Sequence, residues 1–172
     1  MHGMEELFNA YGWRVVMDSA PLLKGGGGSV KKAARVARAD SVHIIAFKDD
    51  KNIFILREYR PFYGTYIWML PSGKVDKETD LEVAAQRELQ EETGFRAAEM
   101  KLYCSTNHSE SLISSNHIFI ARTLSPAPLP QDDDELIEVH TLSLDDAVEK
   151  VLSSKVVHTA SAYALLRYLR EH

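Results

Sequence analysis

Cysteine is nearly absent from this chain: Cys104 is the only one in 172 residues, so no intrachain disulfide can form. That fits a reducing cytoplasm, with Cys104 as a small buried apolar residue. An excess of basic charge is also missing. Twenty Lys and Arg against 25 Asp and Glu leave a formal net charge of −5. This argues against general nucleic-acid binding or an anionic membrane surface, since both need a basic face. No apolar run approaches a membrane span, and MHGMEELFNAYGW has no long apolar run after a basic segment, so no secretory signal is expected. His and Cys do not cluster at zinc spacing, and the scattered Ser, His and Asp define no triad; His108 and His117 are read as non-catalytic. The glycines at 25–28 lack the lysine and hydroxyl of a phosphate-cradling loop and read as a turn. No internal repeat is present.

Hydrophobic content of 45% and charged content of 26% are ordinary for one globular domain with a substantial core. Strands are expected at 13–18, 41–47, 53–59, 98–105, 117–122 and 136–140, with a short apolar run at 66–70. The turn DDKN suggests that 41–47 and 53–59 form a hairpin, ended by Pro61. Helices are expected after Thr79, over 144–152 and over 159–170, the last with Ala162, Leu165, Leu166 and Leu169 inward. Mixed strands with three helices outside them imply an α/β/α sandwich.

The most informative stretch is Gly73 to Phe95, GKVDKETDLEVAAQRELQEETGF. Its second half reads as a helix in which Glu88, Glu91 and Glu92 are spaced i, i+3, i+4, on neighbouring turns. Glu88 and Glu92 point the same way as Leu81, Ala84 and Ala85, along the apolar stripe. Carboxylates crowded at a core edge repel one another and lose hydration. A divalent cation removes both problems, and oxygen-only ligands suit Mg²⁺ or Mn²⁺. Thr79 with Glu82 makes a capping box, and Gly94 sits where a left-handed C-terminal cap is expected.

These residues resemble the Nudix box: Gly73, Arg87, Glu88, Leu89, Glu91, Glu92 and Gly94 match, with Phe95 in the last apolar place. The first glutamate of the pattern falls on Thr79, leaving Glu78, Asp80 or Glu82 as candidate partners of Arg87. The flanking Glu58-Tyr59-Arg60 and Met69-Leu70-Pro71-Ser72-Gly73-Lys74 are similar to the ADP-ribose pyrophosphatase branch, which acts on nucleoside diphosphate sugars. The resemblance implies a Nudix-type mixed sheet between helices over 41–172. It also implies an N-terminal antiparallel β extension over 1–40 that helps build a homodimer. Three departures stand out. No proline follows the box at the usual distance, Met69 replaces a glutamate, and Ser114 stands where a loop glutamate often acts as base.

The implied chemistry is Mg²⁺-dependent hydrolysis of a pyrophosphate link, giving a nucleoside monophosphate and a sugar phosphate. Glu88, Glu91 and Glu92 would hold the metal, with the Ser72 carbonyl as a further ligand by resemblance. Glu88 would alternate between ligand and base, Glu92 belongs to the same catalytic set, and Arg87 would orient a box glutamate. Glu110 is the only acid in the 106–116 loop and is either the base or a solvated charge. Arg60, and Arg57 after it, are candidates for a substrate phosphate, because a guanidinium forks onto two oxygens. Trp68 either stacks a base or packs as a core or interface aromatic. The acidic run 132–135 is read as a solvated loop. Two other readings stand beside this one: a pyrophosphohydrolase of nucleoside triphosphates or dinucleoside polyphosphates, and a non-catalytic nucleotide-sugar sensor.

Overall fold

The computed structural model describes residues 4–22, 30–75, 80–131 and 136–172. The glycine run at 25–28, Glu78, Thr79 and the acidic run 132–135 lie outside these. The chain begins with three antiparallel strands, β1 (Glu5–Ala10), β2 (Trp13–Pro21) and β3 (Val30–Ala37). Next come β4 (Ser41–Ala46), β5 (Asn52–Arg60), a 3₁₀ turn at Pro61–Tyr63, β6 (Thr65–Met69) and β7 (Ser72–Lys74). Helix α1 (Leu81–Thr93) follows, then β8 (Phe95–Asn107), β9 (Leu112–Ile113), β10 (Ser115–Pro126) and β11 (Ile137–Ser143). Helices α2 (Leu144–Ser153) and α3 (Thr159–Glu171) close the chain.

The strands form three sheets, ordered β1-β2-β3-β9, β7-β4-β10-β8 and β11-β5-β6. β4 pairs in parallel with β10, and both are covered on two faces, which explains the nearly unbroken apolar run of β4. Val42, Ile44 and Ala46 pack with Ala84, Ala85 and Leu89 of α1. Ile45 and Phe47 face Ala147 and Val151 of α2 and Ala164 and Leu165 of α3. The result is the expected α/β/α sandwich. Each fully buried Ile or Leu in it contributes about 1.5–3 kcal/mol.

Three expectations need correction. β4 and β5 are not a hairpin: the Phe47–Ile53 bridge and the turn bonds from Lys48 N–H and Asp49 N–H to Asn52 O join them before the strands part into different sheets. The edge of β4 on that side is taken instead by Pro71 and β7, while β10 holds the opposite edge. Leu166 faces solvent, because the stripe of α3 runs through Ala160, Ser161, Ala164, Leu165 and Tyr168. Helix α1 has Asp80 as its N-cap, its carboxylate accepting from Glu82 N–H at 2.8 Å, where the expected cap was Thr79, which lies outside the described residues. The other end is as expected: Gly94 adopts φ 79° and donates to Gln90 O at 3.0 Å. Among the described residues, no helix is long and apolar enough to cross a membrane.

Candidate active site

β7 lies antiparallel to β4, with Ser72 opposite His43 and Gly73 opposite Val42. Pro71 O accepts from Ile44 N at 2.9 Å and holds the entry to that strand. Helix α1 crosses above. Its apolar stripe seats Ala84, Ala85 and Leu89 on the sheet, and the same face carries Glu88 and Glu92 into near-complete burial. Glu92 accepts from Ser72 N–H at 2.7 Å. The backbone of Gly73 lies so close to Glu88 that a Cβ there would overlap the carboxylate. Glycine is needed here for close approach.

These residues form one wall of a cleft of about 430 Å³, with Ser72 to Lys74 at its floor and Arg87, Glu88, Glu91 and Glu92 above. Arg87 bridges the acids, with Nη2 to Glu88 Oε1 at 2.8 Å and Nη1 to Glu91 Oε2 at 2.6 Å. It also donates to Lys74 O at 3.2 Å. Asp80, one of the suggested partners of Arg87, is spent on the helix cap. The donors are all oxygens, which suits a hard dication. Among the described residues no three acidic or imidazole side chains converge as a ready ligand set. The bridging guanidinium accounts for part of this, since it holds Glu88 and Glu91 to itself, and a cation would have to draw them away.

Arg60 also lines the cleft. Its Nη2 pairs with the buried Glu58 at 2.8 Å and reaches Met69 Sδ at 3.2 Å. Arg57 and Trp68 do not join it. Side chains alternate along a strand, so Glu58 and Arg60 share one face of β5 while Arg57 lies on the other, in register with Trp68. There Arg57 binds both oxygens of Glu138 at 2.8 and 2.9 Å and stacks on Tyr66, and Trp68 packs beside His140. Glu110 is also apart from the cleft: its side chain is 91% exposed and pairs with Lys31 at 3.3 Å. Ser114 is buried and donates to Ala39 O at 2.9 Å.

The facing wall was missed by the sequence reading. It carries Arg38, Ser41, His43, His108, Asn116 and His158. The available signal was Ser41 and His43, polar residues two apart and so on one face of an otherwise apolar strand. His43 Nε2 lies 3.1 Å from Asn116 Oδ1, which also accepts from Ser41 Oγ at 2.8 Å. Its ring centroid is 5.4 Å from that of His158. Burial, then the neighbouring His158, pushes the pKa of His43 down to about 3. Burial, then Arg60 and Arg38, pushes His158 down to about 4. Both rings are therefore neutral at pH 7. His108, read as non-catalytic, is in the cleft, with Nε2 3.1 Å from Arg38 Nη2. His117 lies elsewhere, between Asp40 and Ser105.

Residues 37–164 match the NUDIX domain family. The chain is 31% identical over 149 residues to ADP-ribose pyrophosphatase of Bacillus subtilis (strain 168), covering 83% of this chain and 78% of that protein. It is 30% identical over 167 residues to CMP-5'-(N-acetyl-N-hydroxy-3-aminopropyl)phosphonate hydrolase of Streptomyces rubellomurinus (strain ATCC 31215), covering 92% and 80% respectively. A crystal structure of an ADP compounds hydrolase superposes with a TM-score of 0.78 over 99% of this chain and 91% of that one; at 22% identity this is a likeness of fold.

Proposed function

The chain belongs to the Nudix hydrolase family, and from that premise we propose that it hydrolyses the pyrophosphate bond of a nucleoside diphosphate sugar of the ADP-ribose type with Mg²⁺ as cofactor. The observation that carries this reading is the acidic face of α1, with Glu88, Glu91 and Glu92 lining one cleft with Arg60. The relative named for ADP-ribose supports the substrate class. The relative named for a CMP-phosphonate makes the base and the second group a matter for assay.

In this reading Glu88, Glu91, Glu92 and the Ser72 carbonyl hold the metal, with Mn²⁺ as the other candidate. When bound, the metal neutralises the pyrophosphate and acidifies water. Ser72 N–H fixes Glu92 by its 2.7 Å bond. Arg87 orients Glu88 and Glu91. Arg60, pinned by Glu58, presents its guanidinium to a phosphate. Water adds to one phosphorus and gives up a proton to a cleft carboxylate, with Glu88 as our candidate. The bridging P–O bond then breaks, releasing a nucleoside monophosphate and a sugar phosphate. We further propose that the chain acts as a cytoplasmic homodimer joined through its first forty residues, where Leu7, Phe8, Tyr11 and Trp13 are exposed.

The test is a panel of nucleotide sugars and nucleoside triphosphates with Mg²⁺, products resolved by chromatography. AMP and ribose phosphate from ADP-ribose support the reading. Pyrophosphate release from triphosphates replaces it with the triphosphate reading, and ADP-ribose binding without turnover replaces it with the sensor.

A further inference from the structure

Two side chains meet Arg60 at one nitrogen: its Nη2 lies 2.8 Å from Glu58 Oε2 and 3.2 Å from Met69 Sδ. The register of β5 and β6 explains the meeting. Leu56 stands opposite Met69, Glu58 opposite Ile67 and Arg60 opposite Thr65, so Glu58, Arg60 and Met69 share one face of the two strands. Leu56, Ile67 and Met69 form a buried apolar cluster on that face. A buried ion pair beside such a cluster adds little net stability, because desolvation of the charges offsets their attraction. It does fix geometry. Glu58 is buried, whereas the Arg60 side chain is 39% exposed and lines the cleft. The carboxylate anchors a guanidinium that reaches the cleft.

Position 69 is where the sequence resemblance places a glutamate, and this chain has methionine there. The two side chains are equally long: the sulfur of methionine stands where glutamate has its carboxyl carbon. A glutamate at 69 would therefore set its carboxylate against the same Nη2 that Glu58 now holds. Positions 58 and 69 are two sources for one negative charge. Both carboxylates together in this buried place would repel each other.

We infer that Glu58 is a positioning residue that gives Arg60 the carboxylate missing at Met69, so that the departure at 69 is compensated inside the site and Arg60 stays aligned for a substrate phosphate. The inference rests on the reading of Arg60 as a phosphate contact of a nucleoside diphosphate sugar. Glu58 acts through Arg60 and touches no reacting atom.

The test is a double-mutant cycle on Glu58→Gln and Met69→Glu, with folding of each variant checked by circular dichroism. The readout is calorimetric binding of α,β-methylene-ADP-ribose, whose P–C–P link resists hydrolysis, in Mg²⁺ buffer. Glu58→Gln keeps the shape of the side chain and is expected to bind roughly tenfold more weakly than wild type. Adding Met69→Glu to that variant is expected to return most of the loss, whereas Met69→Glu in the wild type is expected to weaken binding. Met69→Gln, the same shape without the charge, is expected to rescue nothing. Equal binding by wild type and Glu58→Gln overturns the inference. So does a folded double variant as weak as Glu58→Gln, and so does rescue by Met69→Gln. Turnover of ADP-ribose, followed in parallel, separates the two readings. The expected binding pattern without turnover removes the hydrolase and leaves Glu58 in its role. Turnover with unchanged binding in Glu58→Gln does the reverse, and failure of the wild type to bind the analogue removes both.

Discussion

Gly73 and Glu88 are in direct apposition: the Cα of the β7 glycine backs onto the carboxylate of the α1 glutamate, leaving no room for a methyl group. Gly73→Ala must displace Glu88 or part β7 from α1. The expected result is a fall in kcat of roughly 10²-fold or more, on the scale seen when a catalytic group is misplaced. Circular dichroism should show the fold retained. Full activity in Gly73→Ala would mean that Glu88 is not held where the reaction needs it.

Glu92→Gln keeps the shape of the side chain, and its amide oxygen can still accept from Ser72 N–H. It removes the charge. Mn²⁺ affinity, read by electron paramagnetic resonance, should fall roughly 10-fold or more, with turnover falling alongside. Unchanged Mn²⁺ binding would remove Glu92 from the ligand set.

Arg87→Lys breaks the two-way bridge to Glu88 and Glu91, because an ammonium has no planar fork. Activity should drop with little loss of thermal stability, since the bridge is part-exposed and worth about 1 kcal/mol or less. A drop of many degrees in Tm with normal kcat would make Arg87 a stabiliser and not an orienting group.

The buried imidazoles set an acid limit on stability. His43 and His158 have folded pKa values of about 3 and about 4, below the ordinary 6.5. Between these values the unfolded chain binds protons that the folded chain refuses. The stability from neutral burial is thus complete above pH 6.5 and is lost as pH falls toward 4, by up to about 1.4 kcal/mol per pH unit for each ring. Chemical denaturation of the metal-free protein from pH 7 to pH 4.5 should show this slope, and His43→Phe should flatten it. Parallel slopes would mean that other groups set the acid limit.

The exposed apolar side chains of β1 and β2 give the dimer proposal its own test. Sedimentation at micromolar concentration should give a dimer, and Phe8→Asp should shift it to monomer. A monomeric wild type would remove the proposal.

The acidic helix was legible in the sequence because its geometry is local. Helical periodicity alone carries Glu88 and Glu92 onto the stripe of Ala84 and Ala85, and Gly94 marks the stop. The split between Arg60 and Arg57 is local too, since residues of opposite parity in a strand face opposite ways. Other features were set by long-range packing. Whether one edge of β4 goes to β5 or to β7 is decided by packing between distant segments, and no local turn signal reports it. Glu110 sits in an acid-poor loop that looks catalytic until the fold turns it toward Lys31. His43 stands out within its strand, but its meaning comes from Arg38, Asn116 and His158, which lie on three other parts of the chain. Local periodicity determined the carboxylate wall of the cleft; only tertiary packing, by bringing distant polar groups into one low-dielectric pocket, decided the wall that faces it.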